Sequence, residues 1–574
     1  MQATTAENEH LKERRAGGLG RAAGRLALAG FVVYAVAAPH SIAGSWMGLS
    51  AAFAGWLVRA AAERRAGVRR TALDLPLWLF IGWTVLSCLL SAEPRESIPK
   101  LVNVSTFLVF YLAQSVLTRR SAGLVACVLV VSAAAGVLWG VGDLIVGRGV
   151  VVAALAADSP LRAATPLREG DAVWRVNGHR VASVAEIDDE MKRTPAGGRV
   201  RLSVISRGEH VEWPGPAVSD EMRAAASPSG ITGGGRTHSF RASGLTRHYE
   251  TFAEQLQIIA QLALGFALAA WRRRARPREV ERQSFADEQR QSRAGGQREK
   301  RAEGQRPGQA DERRQDEADG KQEAAGRELE EAGRGQEEAG RRQEATGRRR
   351  ATARRWHFYL PAVAFVLLAF GLSLTAMRTS TVAFAVGAAV VAYLATPRDK
   401  QRLALAVVVL LTLLFGGISV WRTRATGALE LKDDSASLRA QVARVVARRV
   451  WLHPVFGHGM DAMHLHWNEW GFPGRDMLDA HSTPLQLAFD RGIPALLFWL
   501  WLMYAFWKLA RRAEKIWRET DDAGAHGLAL GLAGALAGFL ASSLVNYNFG
   551  DSEVALLVWW MMGAVVILNE EKAV

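Results

Sequence analysis

The chain is built around apolar runs close to the length that crosses a hydrocarbon core, roughly 20 residues each. They fall near 24–38, 42–61, 75–91, 100–117, 123–146, 252–271, 357–376, 380–396, 403–421, 484–509, 525–545 and 552–568. So many runs exclude a single soluble core. The mean hydropathy is only +0.03 because strongly charged segments offset the apolar ones.

The loops give an orientation. "RAAAERRAGVRRT", "TRRSAG", "WRRRARPRE", "PRDKQR" and "KLARRAEKIWR" are all basic, and twelve crossings put them on the side of the basic N-terminus. Short basic loops stay in the cytoplasm, so both termini are expected there, at a bacterial inner membrane. The net charge of +15 is read as orientation and contact with membrane lipids, with no nucleic-acid partner. Cys88 and Cys127 both lie in apolar runs, which excludes a disulfide framework or a zinc site. No cleavage signal separates the first run from the second, so the first reads as a retained helix.

The expected order is a tail (1–23), five spans (24–146), an outer insert (147–216) and its linker (217–251), then a sixth span (252–271). A charged inner loop (272–355), three spans (356–421), an outer segment (422–483) and three final spans with a short tail (484–574) follow. The inner loop carries four seven-residue units, "EAAGREL", "EEAGRGQ", "EEAGRRQ" and "EATGRRR". A coiled coil needs apolar a and d positions, and these units instead repeat Gly326, Gly333, Gly340 and Gly347 at one register. They read as a solvated linker.

Residues 147–216 are different. "VVVAALAADSP" is a β-rich run ending in a turn, and "LREGDAVWRVNGHRV" places a short strand between Gly-Asp and Asn-Gly turns. "SVAEIDDEMKRT" is an amphipathic helix capped by Ser183, and "GRVRLSVISRGEHVEW" alternates as a half-buried strand does. Asp158-Ser159-Pro160, Leu167, Gly170-Asp171 and Val176-Asn177-Gly178 resemble the phrases of a bacterial PDZ domain. The resemblance implies that Gly147, Arg148, Gly149 and Val150 form the loop that accepts a peptide C-terminus, the peptide adding as a strand. A domain used only as a spacer is the other reading. A PDZ-like domain on a membrane protein also suggests an intramembrane metalloprotease. That chemistry needs His-Glu-x-x-His, and no such string occurs.

The segment 422–483 concentrates histidine: His453, His458, His464, His466 and His481, of 13 in the chain. No carboxylate-rich partner set accompanies them, so no metal site is expected. Histidines and tryptophans at headgroup level are the plain alternative. The surrounding phrases resemble the O-antigen ligase and polymerase superfamily. "HSTPLQLAFDRGIPALLFWL" places His481-Ser482 nine residues before Gly492, as that family does, with Ala495 where the family has a further glycine. "LHPVFGHG" supplies Pro454, Gly457 and Gly459; "SLTAMRTS" and "RASGLTRHYETFAEQL" complete an ordered set over residues 240–568.

The resemblance implies an all-α polytopic membrane protein of about twelve transmembrane helices with a small inserted α+β PDZ-like extracytoplasmic domain. It implies a glycosyltransferase moving a glycan from polyprenyl diphosphate to an acceptor hydroxyl on a lipid or protein, with inversion and without metal or cofactor. His481 is the implied catalytic base, since imidazole titrates near neutral pH. Arg247, Arg378 and Arg439 are the implied donor-binding residues, since guanidinium suits diphosphate. Arg378 otherwise reads as a snorkelling side chain. An O-antigen polymerase, a protein oligosaccharyltransferase and a non-catalytic scaffold for envelope or secretion proteins are the alternatives.

Overall fold

Among the described residues of the computed structural model, eight helices are long and apolar enough to cross a membrane, and each falls on one of the expected runs. The structure describes residues 2–206, 208–246, 248–274, 359–425, 432–474 and 479–570. Arg247 and the charged linker beyond Arg274, with its seven-residue units, lie outside the described residues. Contacts separate a unit of residues 1–266 and 363–574 from a unit of residues 267–362. Of the second unit, only ends of the helices Tyr249–Arg274 and Tyr359–Leu374 are described.

The four remaining runs are also helical. Asp74–Leu90 and Tyr359–Leu374 are shorter apolar helices, and Ile42–Glu63 is a full-length one outside those eight. The run at 100–117 is not continuous: a 3₁₀ segment, Leu101–Phe107, precedes the α-helix Leu108–Val116. Ser105 and Thr106 donate their hydroxyls to the carbonyls of Val102 and Asn103, three residues back, where such bonds compete with the α-helical ladder. The polar start of the chain is helical too, continuous with the first span as Gln2–Ala37.

Burial sorts the helices. Only 11% of the Arg398–Arg422 span is covered by protein, and Leu403, Leu410 and Leu413 are two-thirds exposed. Such a surface is stable facing lipid. Ala523–Ser543 and Ser552–Glu570 are 78% and 83% covered and form the centre. Hydrophobic burial does not drive helices together within lipid, so close packing must. The first two helices show it: a Cβ at Gly30 would meet the Ala52 nitrogen at 2.4 Å, and one at Gly48 would meet the Tyr34 nitrogen at 2.4 Å.

Between the helix Arg119–Val146 and the helix beginning at Tyr249 stands a small antiparallel sheet. Its strands are β1 (Val150–Leu155), β2 (Ala172–Val176), β3 (His179–Arg180), β4 (Arg199–Ser206), β5 (Glu209–Ala217) and β6 (Ile231–Gly233). The order is β5-β4-β2-β1-β6, with β3 paired to β2. Ser183 caps the helix Val184–Arg193, accepting from the Glu186 amide. Ile187 and Met191 on that helix pack with Val152, Val173, Val176 and Leu202 in one apolar core. The stretch expected as one strand is instead the β4–β5 hairpin. Four consecutive residues of β4, Leu202–Ile205, are buried, so this strand is covered on both faces rather than half-exposed.

Candidate functional site

The segment before His481 is held by a break in the helix after it. Thr483–Arg518 is interrupted at Gly492, whose φ of 82° and ψ of 168° suit only glycine. The break removes helical partners from the carbonyls before it, and buried carbonyls need replacements. The loop Pro454–Gly459 supplies them. The His458 amide donates to the Phe489 carbonyl (2.8 Å), and the Gly459 amide donates to that of Asp490 (3.0 Å). The Trp83 indole donates to the carbonyl of Arg491 (3.0 Å), and the Ile493 amide returns a bond to the Pro454 carbonyl (2.8 Å). Gly457 permits the approach, since a Cβ there would lie 2.4 Å from the Asp490 carbonyl carbon. Pro454, Gly457, Gly459 and Gly492, far apart in sequence, therefore form one backbone joint.

His481 lies eleven residues before Gly492, just ahead of the helix that carries the joint. Its backbone is left-handed, with φ 46°. Its amide donates to Asp479 Oδ1 (2.7 Å), and its Nδ1 lies 3.5 Å from the same oxygen. Nε2 is buried and has no hydrogen-bond partner among the described residues. Burial, then the positive charge of Arg439, push the imidazole down to about 4, with Glu250 pulling slightly the other way. The ring is therefore neutral at pH 7, with Asp479 beside one nitrogen and the other available. Burial raises the Asp479 carboxyl, against the His481 amide and Arg439. Of the three expected arginines, Arg439 thus stands near His481, on the helix Lys432–Val450, and Arg247 is not described.

Arg378 is exposed and opens the helix Arg378–Ala395. A buried polar network ties that helix start to His481. Asn546 donates to Glu254 Oε1 (2.8 Å) and to Thr379 Oγ1 (3.2 Å), next to Arg378. Its carbonyl accepts from both the amide and the hydroxyl of Thr483 (3.1 Å each), two residues after His481. Glu254 Oε1 also accepts from Ser380 (2.9 Å) and Ser542 (2.5 Å), and Oε2 takes Asn548 at 3.4 Å. One carboxyl thus gathers the helices that begin at Tyr249 and Arg378 and the end of Ala523–Ser543. Glu254, Asn546 and Asp479 were not singled out from sequence. Glu254 carried a signal: an ionisable residue inside an apolar run is costly unless it is partnered or functional.

The other histidines have separate duties. His458 is buried, bonds through Nε2 with the Arg449 carbonyl (3.0 Å) and stacks on Phe489 at 4.6 Å. Burial pushes it down to about 4. His466 stands between Glu93 (2.9 Å) and Glu469 (2.6 Å), which raise its pKa, Glu469 most. Among the described residues no three such side chains converge as a metal site would require.

Gly147–Val150 do not stand open as a carboxylate loop. The Gly147 amide is spent on the Asp143 carbonyl, and Arg148 exchanges both backbone bonds with Thr237. β1 pairs with β2 on one side and β6 on the other. The edge a peptide would extend is taken by the chain's own residues 231–237, held also by Asp188, which accepts from Ser227 and the Ser229 amide (2.9 Å each). Gly147 to Gly149 lead into β1, which opens at Val150, and an incoming strand would have to displace β6.

Residues 363–500 match the family model described as O-Antigen ligase. The match takes in Arg378, Arg439, His481 and all four residues of the backbone joint, and supports the O-antigen ligase superfamily and a ligase-type glycosyltransferase in general. It leaves out the inserted sheet and the segment at 240–256. No curated protein matches the chain.

Proposed function

We propose that the protein transfers a glycan from polyprenyl diphosphate to an acceptor hydroxyl at the membrane face where His481 lies. The observation that carries this is the His481 ring: neutral, oriented beside Asp479, with a buried Nε2 that no group among the described residues hydrogen-bonds. The acceptor O–H attacks the anomeric carbon as the bond from that carbon to the diphosphate oxygen breaks. The proton passes to Nε2, and polyprenyl diphosphate leaves with the bonding pair. Attack opposite the leaving group inverts the anomeric centre. In this reading Arg439 and Arg378 meet the diphosphate charge, since guanidinium forks match phosphate oxygens. This reading calls for no metal or cofactor.

The assignment to the periplasmic face of an inner membrane, with twelve crossings and both termini cytoplasmic, rests on the basic loops. The inserted sheet is read as a PDZ-like domain. Its paired edges favour a spacer or docking face over a peptide receptor.

The test is glycan transfer from a lipid-linked donor by membranes carrying His481→Ala or Arg378→Ala, with insertion confirmed. Transfer should fall by at least 100-fold for His481→Ala, the scale of a lost general base. Full activity in both variants would refute the assignment.

A further inference from the structure

A recess lies against the first turns of the helix that His481 precedes. It is a cavity of about 200 Å³. For comparison, a protein cavity of roughly 150 Å³ takes a benzene ring, so there is room for one six-membered ring. Lys100 and Asp461, both partly exposed, pair at 2.9 Å on its rim.

Its walls are of two kinds. Phe80, Tyr547, Phe549 and Trp559 supply aromatic surface. Asn103, Gln486, Asp490 and Arg491 supply amides, a carboxylate and a guanidinium. Arg491 is only 8% exposed, its Nη2 meets the Met460 sulfur at 3.2 Å, and its Nε has no hydrogen-bond partner among the described residues. A buried donor left unpaired is costly, which points to a ligand acceptor. The Asp490 carboxylate takes one bond from Gln486 (2.8 Å) and retains further lone pairs.

The lining ionisable groups are two basic, Lys100 and Arg491, and two acidic, Asp461 and Asp490. Lys100 is already paired with Asp461, and a second carboxyl stands beside Arg491, which suits an uncharged polar ligand better than a diphosphate. Aromatic walls facing a ring of donors and acceptors fit a pyranose: its C–H face is apolar, and each hydroxyl both donates and accepts. Gln486 forms the partition from the His481 loop, since its Oε1 accepts from the Ala480 amide (2.7 Å) while its Nε2 holds Asp490. The geometry points to a subsite for one uncharged sugar ring of the glycan, one side chain away from the transfer point. That it serves transfer rests on the function proposed above; that it binds a sugar does not.

Binding is therefore tested apart from activity. The full chain, in a detergent without a sugar headgroup, is mixed with the methyl glycosides of a neutral hexose and of an N-acetylhexosamine. Saturation-transfer NMR reports binding, and inorganic phosphate is followed by ³¹P line width. Wild type and His481→Ala should both bind a glycoside. Asp490→Asn should weaken binding about tenfold, the loss of one charged hydrogen bond. Ala555→Phe, which fills the cavity, should abolish it. If the phenylalanine variant does not fold, Asp490→Asn decides. Unchanged glycoside affinity in Asp490→Asn, no glycoside binding by wild type, or displacement of the glycoside by phosphate would overturn the subsite. In transfer assays, Asp490→Asn should raise the KM for either donor or acceptor at unchanged kcat, and the substrate affected names the owner of the ring. Full transfer by His481→Ala alongside intact sugar binding would sink the catalytic reading and leave the subsite standing.

Discussion

Gly492→Ala is the sharpest test of the joint that holds the His481 segment. Two costs add. The backbone at φ 82°, ψ 168° lies where side-chain-bearing residues are strained by about 1–3 kcal/mol. The new Cβ would also lie 1.9 Å from the Val455 oxygen and 2.4 Å from its carbon. Both are backbone atoms, so no rotamer relieves the clash and the loop must withdraw. Withdrawal breaks the bonds from Ile493 to Pro454, His458 to Phe489 and Gly459 to Asp490, each worth about 0.5–1.5 kcal/mol. The sum is on the order of 3–7 kcal/mol, at or beyond the usual range for one substitution. The assay is thermal unfolding in detergent, paired with limited proteolysis across 453–459. Gly142→Ala is the control: it lies in a helix with nothing within 4 Å of the added carbon, and it should be neutral or stabilising by up to about 1 kcal/mol. If Gly492→Ala melts with wild type and its loop resists protease equally, the joint does not hold the segment and the reasoning fails.

Three further outcomes are expected. Because His481 is held down to about 4, the acid limb of the transfer rate should fall near that pH and not near 6.5; Arg439→Gln removes a positive neighbour, eases protonation and should move the limb upward, as a pH–rate profile will read. Glu254→Ala strands the Ser380, Ser542 and Asn546 donors and should cost about 2–4 kcal/mol in unfolding measurements, with transfer falling as well; equal stability of the variant would contradict the network. Asp188→Ala releases the 227–229 turn that anchors β6, so the Arg148 and Val151 amides should lose hydrogen-exchange protection about tenfold per 1.4 kcal/mol lost; unchanged exchange would show that β6 is held by other means.

Much of this architecture could be read in one dimension. Apolar length alone located the eight candidate spans among the described residues, because a span satisfies its backbone within itself. The Ser183 cap and the turns at Gly170 and Gly178 are local signals, and each stands where expected. Local reading failed where distant chain intervened. The β4–β5 stretch looked half-buried until a second face was covered, and residues 147–150 looked open until 231–237 closed over them. The run at 100–117 failed for a local reason that apolarity hides, the short hydroxyls of Ser105 and Thr106.

The candidate site divides the same way. The residue types at His481, Arg378 and Arg439, and the spacing from His481 to Gly492, were in the sequence because imidazole, guanidinium and glycine each have a chemistry visible in the letter. Only the tertiary structure could show that Gly492 and Pro454–Gly459 are one joint, because backbone bonds across 30-odd residues leave no periodic trace. The structure alone brought Asn546 between Thr379 and Thr483, and Asp479 beside His481. The pKa of His481 is likewise a tertiary property. Burial and the charge of Arg439 set it, and neither exists until the helix Lys432–Val450 packs against the start of Thr483–Arg518.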